Sequence, residues 1–590
     1  MSAETLPRWS LDTLYPGIES DAFRNAMAFL DESANQLESL LDQAEKGTLP
    51  PKEALEALLA RLNATAAEES VLETFLYCKV SVNSRDEEAQ SELSVAEIKI
   101  NRLGKAQTRF TAWVGAQDLD VLLAASEAAR EHEFLLRKAK TQSEHLMSPA
   151  EESLASDLLL SGGLPWAKLH ANYTSQMKVE VDGEHLPMSS VRNLAYDRDG
   201  GRRQRAYESE LAAWKESETV LAACMNGVKG ELNTLCRRRG WGSALDLACF
   251  QAHIDRDTLD AMMGAAQKAF PHFRRYLRAK AKLLGKDQLP WYDLFAPLPA
   301  SGGEEKGYPW EVAKGFIEQH FRGFSDRMAD YAVRSFRENW IDVPPAEGKV
   351  DGAYCAGARG DESRILLNYT PDFKWVSTLA HELGHAYHNL CLAQRTELQK
   401  STPMTLAETA SIFCETIVKR AVLDGGDEEE KRVVLEASLM GATQVVVDIS
   451  SRYLFEKSVF EGRVEREVSP REMCEHMRDA QLATYGDGLD PELLHPYMWS
   501  AKPHYYSAGT GYYNFPYMFG LLFGLGLYAI YQREPEGFPA RYDELLSSTG
   551  LADAATLADR FGIDLRSEAF WAGSLDVIRA DVDEFERLVG

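Results

Sequence analysis

The chain has 590 residues, and its 64 basic against 91 acidic side chains leave a formal charge of −27. A surface this acidic repels phosphate backbones and anionic lipid heads, which argues against nucleic-acid and membrane-surface partners. With 45% hydrophobic, 10% aromatic and 26% charged residues, the composition is that of a folded globular protein and not of a disordered one.

Helical periodicity opens the chain, with apolar residues recurring at spacings of three and four over 22–45, 52–82 and 86–114. At 176–186 the period changes: Met177, Val179 and Val181 alternate with polar residues before Asp182-Gly183, which predicts a hairpin. Helical patterning resumes near Ser190 and is broken at 296–309, a Pro- and Gly-rich stretch that reads as a surface loop. A second β pair is expected at 352–369, where 353–356 and 364–369 flank the turn-forming residues 357–361. Pro371-Asp372 then opens a helix whose apolar stripe is Trp375, Leu379, Leu383, Ala386 and Leu390.

That helix carries His381-Glu382-Leu383-Gly384-His385. Two histidines four residues apart are separated by about 40° around the axis and one turn along it, so both imidazoles can reach one ion. Glu382 projects beside them, where a carboxylate can reach the attacking water without taking a coordination position. His388 lies on the same face, but seven residues from His381 mean about 10 Å of rise, too far to share the ion. It is expected to be a hydrogen-bonded histidine near the site.

A catalytic zinc needs a third protein ligand and an open position. Residues 405–415 are apolar enough for a buried helix, yet they carry Glu408 and Glu415 seven residues apart. Glu408 is the expected third ligand, and Glu415 the carboxylate that holds a ligand imidazole in one tautomer. Ordinary interhelical ion pairs are the alternative. Further on, no Lys, Arg, Asp or Glu occurs between Pro503 and Gln532. His504, Tyr505, Tyr506, Tyr512, Tyr513 and Tyr517 gather there around Gly509 and Gly511, as neutral donors to a developing oxyanion on a mobile loop or as packing aromatics. Residues 515–531 are almost continuously apolar but at the short limit for a bilayer span and interrupted by Pro516 and glycines 520, 524 and 526; a buried core helix is expected, a membrane anchor being the alternative. None of the eight cysteines forms a Cys-x-x-Cys pair, and the first ten residues lack a basic region followed by an apolar stretch, so a reducing, cytoplasmic setting is expected.

The extended motif His381-Glu-Leu-Gly-His-Ala-Tyr-His388, the segment Leu406-Ala-Glu408 followed by Ser411 and Glu415, and the tract from His504 to Tyr513-Asn-Phe-Pro-Tyr517-Met-Phe-Gly resemble the oligoendopeptidase F family of thimet-oligopeptidase-like zinc peptidases. Further landmarks extend the resemblance over essentially the whole chain: Trp9-Ser-Leu-Asp-Thr-Leu-Tyr15, His145-Leu-Met-Ser-Pro-Ala-Glu-Glu152, Asp293-Leu-Phe-Ala-Pro-Leu298 and Gly348-Lys-Val-Asp-Gly-Ala-Tyr-Cys355. One departure, Pro344-Pro345-Ala-Glu-Gly before Lys349, puts the contacts of that lysine in doubt.

The resemblance implies a mainly α, two-lobed zincin-type peptidase with a small β-sheet and an internal substrate cavity. It further implies a helical region at 1–112, an oligoendopeptidase N-terminal-type domain at 113–190 and a zinc peptidase domain at 191–590. One Zn2+ per chain is expected on His381, His385 and Glu408, with Glu382, His504, Tyr513 and Tyr517 catalytic and Glu415 and His388 behind the ligands. The expected activity is cleavage of internal bonds in short unstructured peptides, with no nucleic-acid or membrane partner. A zinc carboxydipeptidase of the same fold and a non-catalytic peptide-binding scaffold are the competing readings.

Overall fold

A computed structural model describes residues 6–299 and 307–590, and helices account for 72% of the chain. The helices begin where short polar side chains can satisfy free backbone N–H groups. Ser20 accepts from Phe23 N at the start of Asp21–Glu45, and Asp86 from Ala89 N ahead of Glu87–Gly115. Pro51–Val82 lies between them, so the three long helices read from the sequence are present within a residue or two. Of the loop expected at 296–309, residues 300–306 lie outside the described residues, and the described residues flanking them belong to no helix or strand.

The fold divides into two compact units whose chain segments interleave: Met1–Leu146, Lys306–Ala421 and Ile530–Phe561 in the first, Met147–Glu305, Val422–Ala529 and Gly562–Gly590 in the second. In the first unit the three opening helices bury Leu30, Leu41, Leu55, Leu72, Phe75 and Phe110 in a shared core. The same unit holds a three-stranded sheet. Tyr354–Gly357 and Ser363–Leu366 pair antiparallel as the sequence predicts, with Cys355 opposite Ile365. A third strand, Ile341–Asp342, adds in parallel on the other side of Ser363–Leu366, making that strand central and fully buried. Lys349 anchors this addition: its ammonium donates to Asp342 Oδ1 (2.6 Å) and to the carbonyl of Pro344 (2.7 Å).

The motif helix, Phe373–Leu392, is capped by Asp372, which accepts from Trp375 N at 3.1 Å. Leu379, Leu383 and Ala386 are buried as the stripe predicts, but Trp375 and Leu390 are only half-buried. Glu382, Tyr387 and His388, away from the stripe, are buried too. The helix is enclosed on most of its circumference, and His381 and His385 lie on the part that stays half-buried.

In the second unit the hairpin stands as expected, Lys178–Val181 against Glu184–Pro187, with Val181 opposite Glu184 and both Asp182 and Gly183 at positive φ. The apolar tract forms one helix, Phe515–Arg533. Phe519 packs edge-on against Trp571 with ring centroids 5.1 Å apart, and Phe523 lies 5.8 Å from Phe570. This stretch and Glu428–Glu465 are long and apolar enough to cross a membrane, yet 67% and 50% of their most apolar windows are buried inside the protein, as in core helices.

Candidate metal centre

The first unit gathers the motif's side chains by crossing two helices at close range. At Gly384 a Cβ would fall 2.6 Å from both the Ala410 carbonyl oxygen and Ser411 Cα. Only glycine allows that approach. The partner segment is not one continuous helix, as 405–415 had suggested. Met404–Ala407 ends at Glu408, whose φ and ψ are −84° and 1°, and Thr409–Gly425 starts anew, with Ile412 N donating to the Glu408 carbonyl. Glu408 therefore occupies a joint between two helices and not a mid-helix position.

From this joint one Glu408 oxygen lies 3.3 Å from His381 Nε2 and 3.5 Å from His385 Nε2. One donor atom from each of these three residues lies within 4.8 Å of the others, the only such group of three among the described residues. Two imidazole nitrogens and one carboxylate oxygen, with no thiolate, match the donor set that hydrolytic zinc centres use. Local electrostatics fit a cation there. Burial would raise the Glu408 carboxyl, but His381 and His385, together with a hydrogen bond from Ser411 Oγ (2.7 Å), hold it down at about 2. Burial would lower His381, yet Glu408 and Glu415 raise it to about 10. His385 moves the other way, to about 4, through burial and the neighbouring His381. Positive charge is favoured between these groups, and a divalent ion would supply it while leaving both imidazoles neutral.

Glu415 stands behind His381, with Oε2 3.2 Å from its Nδ1. Its other oxygen is held by Lys419 Nζ (2.8 Å) and Ser377 Oγ (3.2 Å). Burial opposes ionisation, but Lys419 and His381 keep the carboxyl well below its usual range. Lys419 and Ser377 were missed in the sequence. Their spacing carries the signal: Lys419 is one turn after Glu415, and Ser377 one turn before His381. Glu382 is only 6% exposed, and burial lifts its carboxyl to about 7, with Glu408 and Glu415 adding to the rise against the opposing pull of His381. His388 turns elsewhere, its Nε2 lying 2.9 Å from Thr549 Oγ1 and 3.2 Å from the Leu546 carbonyl. It is a buried, hydrogen-bonded histidine.

His504, Tyr513 and Tyr517 form a second grouping, internal to the second unit. The rings of His504 and Tyr513 stack with centroids 5.9 Å apart, and the Tyr513 and Tyr517 hydroxyls lie 3.1 Å from each other. His504 is held neutral: burial, then the charges of Arg452, Lys502 and Lys229, lower it to about 3. Its Nε2 is buried without a hydrogen-bond partner among the described residues. Tyr513 is 38% exposed, while Tyr505, Tyr506 and Tyr512 are buried packing residues. The two glycines differ in their reasons. Gly509 sits at φ +75° with open space around it, whereas a Cβ on Gly511 would meet Phe460 at 2.9 Å. Crowding, not mobility, accounts for the second.

The profile of peptidase family M3 matches residues 324–577 and that of oligopeptidase F residues 114–178. Oligopeptidase PepF of Bacillus subtilis (strain 168) is 23% identical over 482 residues, covering 80% of this chain and 71% of its own. An oligoendopeptidase F homolog of Lactococcus lactis subsp. lactis (strain IL1403) is 21% identical over 596 residues, 98% and 97% of the two chains. Among solved structures, one from Chlamydophila abortus superposes with a TM-score of 0.83 at 18% identity, covering 98% of each chain. Oligoendopeptidase-F from Enterococcus faecium superposes at 0.69 and 19%, covering 96% and 99%.

Proposed function

For a chain that belongs to peptidase family M3, and within it to the metal-dependent oligoendopeptidase F group, we propose that its metal is one zinc ion held by His381, His385 and Glu408, and that it cleaves internal bonds of short unstructured peptides. The observation that carries this reading is the convergence of those three donor atoms within 4.8 Å, with Glu382 buried on the same helix and Glu415 bonded behind His381.

When bound, zinc supplies Lewis-acid activation of water and of the scissile carbonyl. The rest is work for the chain. Glu382 takes a proton from the attacking water and returns it to the leaving nitrogen, which its raised affinity for protons suits. Glu415, gripped by Lys419 and Ser377, fixes the tautomer and direction of the His381 ring. Tyr513 and neutral His504 donate to the carbonyl oxygen as charge builds on it, with Tyr517 paired to the Tyr513 hydroxyl. The substrate backbone pairs with the sheet. Of the antiparallel pair, Ser363–Leu366 is flanked on both sides, so Tyr354–Gly357, the longer of the sheet's two edge strands, is the one to receive a peptide.

The deciding experiment combines metal analysis with cleavage of an internally quenched peptide blocked at both ends. One zinc per chain, loss of cutting on chelation and its return with zinc are expected. Full metal occupancy in a Glu408→Ala variant, or cutting only of peptides with a free C-terminus, would overturn the assignment.

A further inference from the structure

The second unit holds a solvent-open cavity of about 390 Å³ that none of the groups above occupies. Trp291, Tyr292 and Phe295 give it an aromatic side, and Arg192, Lys502 and His495 give it a basic one. In a chain of net charge −27, a basic lining is the exception.

Pairing the charges around the cavity leaves one cation over. Arg203 Nε and Lys286 Nζ share the buried Asp293, at 2.8 and 2.9 Å. Arg192 Nε lies 3.1 Å from Glu210 Oε1, the same oxygen that accepts from Trp214 Nε1 at 3.0 Å. Asp448, which Lys502 also feels, is paired with Arg452. The Lys502 ammonium makes no hydrogen bond or ion pair with a described residue. Each carboxylate near it already serves another cation, so the ammonium is left to an anion from outside.

His495 adds a second requirement. The residue is 1% exposed, and its Nε2 faces Glu210 Oε1 at 3.2 Å. Neither ring nitrogen makes an aligned hydrogen bond with a described residue; with the neutral ring's proton on Nε2, the nitrogen nearer the carboxylate, Nδ1 is left as a buried acceptor. The unmet demands are therefore a carboxylate for Lys502, an N–H for His495 and an apolar body for Trp291 and Phe295. One small chemistry contains all three.

We propose that this cavity binds the α-amino-acid carboxylate unit, with an aromatic or branched side chain against Trp291 and Phe295, the carboxylate on Lys502 and the N–H on His495 Nδ1. The unit is the same whether it comes from the C-terminal residue of a peptide or from a free amino acid. It is recognised by binding alone, so the inference stands apart from the hydrolytic roles given to Glu382, His504 and Tyr513.

Calorimetric titration of the zinc-loaded enzyme tests it. N-acetyl-L-phenylalanine should bind at least tenfold more tightly than its C-terminal amide. Lys502→Met should lose that binding by tenfold or more, and Lys502→Arg should keep it within a few-fold. A carboxylate that merely sits on the metal would bind Lys502→Met as well as the parent enzyme, and unchanged affinity in that variant would overturn the proposal. Should Lys502→Met fail to fold, equal binding of the acid and the amide to the parent enzyme is the overturning result. N-acetyl-Ala-Ala-Phe and free phenylalanine separate the sources: retention of affinity by the first assigns a peptide C-terminus, and binding of only the second assigns a free amino acid.

Discussion

The helices of the first unit that carry the proposed metal ligands and the tyrosine tract of the second solve different problems. Around the metal centre the polar groups hold one another: Ser411 on Glu408, Glu415 on His381, Lys419 and Ser377 on Glu415. In the tract, His504 Nε2, Tyr505 Oη and Asn514 Nδ2 are buried without hydrogen-bond partners among the described residues, and Tyr512 is held at φ +54°. A metal needs ligands fixed before it arrives, because each stray orientation lowers its affinity. A donor to a transition state needs its proton uncommitted until the reaction, which Tyr513 meets when Tyr517 is the donor of their hydroxyl pair.

Substitutions should split along that line. Glu382→Gln is expected to have the largest effect, lowering kcat by about 10⁴ with zinc occupancy intact, since it removes the proton carrier and leaves every ligand in place. Metal analysis beside steady-state kinetics checks it, and near-parental turnover would remove Glu382 from the chemistry. Tyr513→Phe comes next. It should lower kcat by about 10²–10³, roughly 3–4 kcal/mol, with little change in KM or metal content. A raised KM at unchanged kcat would make Tyr513 a binding residue and move the donor role to Tyr517.

On the metal side the expected signature is affinity for the ion. Glu415→Gln keeps the shape but weakens the hold on the His381 ring, so zinc affinity should fall by about 10–100-fold. Gly384→Ala should do at least as much, because its Cβ would force apart the segments that carry the ligands. Competition with a chelator of known affinity measures both. If either variant bound zinc like the parent and lost only kcat, the division between the two regions would fail.

How much of this was legible depended on range. The three opening helices, the hairpin at Asp182-Gly183 and the capped motif helix rest on local periodicity and turn chemistry, and they are where the sequence places them. Ile341–Asp342 is two residues long and pairs with a strand more than twenty positions away, so no local pattern marks it. The joint at Glu408 was missed because its flanks are helical on both sides. His381 and His385 could be placed by spacing on one helix. Lys502 and His495 could not, since their significance lies in which carboxylates their neighbours had already taken. Lys349, whose contacts the Pro344-Pro345 departure had left open, proves to be buried on Asp342.

The smallest expected effect separates backbone strain from lost contact. A Cβ on Gly509 would have no atom within 4 Å of it, so the φ of +75° is the whole reason for glycine. An alanine there costs about 1–2 kcal/mol for the left-handed conformation, and asparagine costs less because its short polar side chain tolerates it. If the tract keeps this conformation throughout turnover, Gly509→Ala should lower the melting temperature by a few degrees and leave kcat within a few-fold of the parent. If instead the tract adopts it only when closing on a peptide, the same strain falls on the closed state. Then kcat drops by about tenfold, since roughly 1.4 kcal/mol is a factor of ten, while the melting temperature stays put. Zinc content should be unchanged in either case, because His381, His385 and Glu408, the proposed ligands, all belong to the other unit. Gly509→Asn should recover most of whichever quantity Gly509→Ala loses, and a Gly509→Ala enzyme depleted of zinc would show that tract and metal centre are not independent.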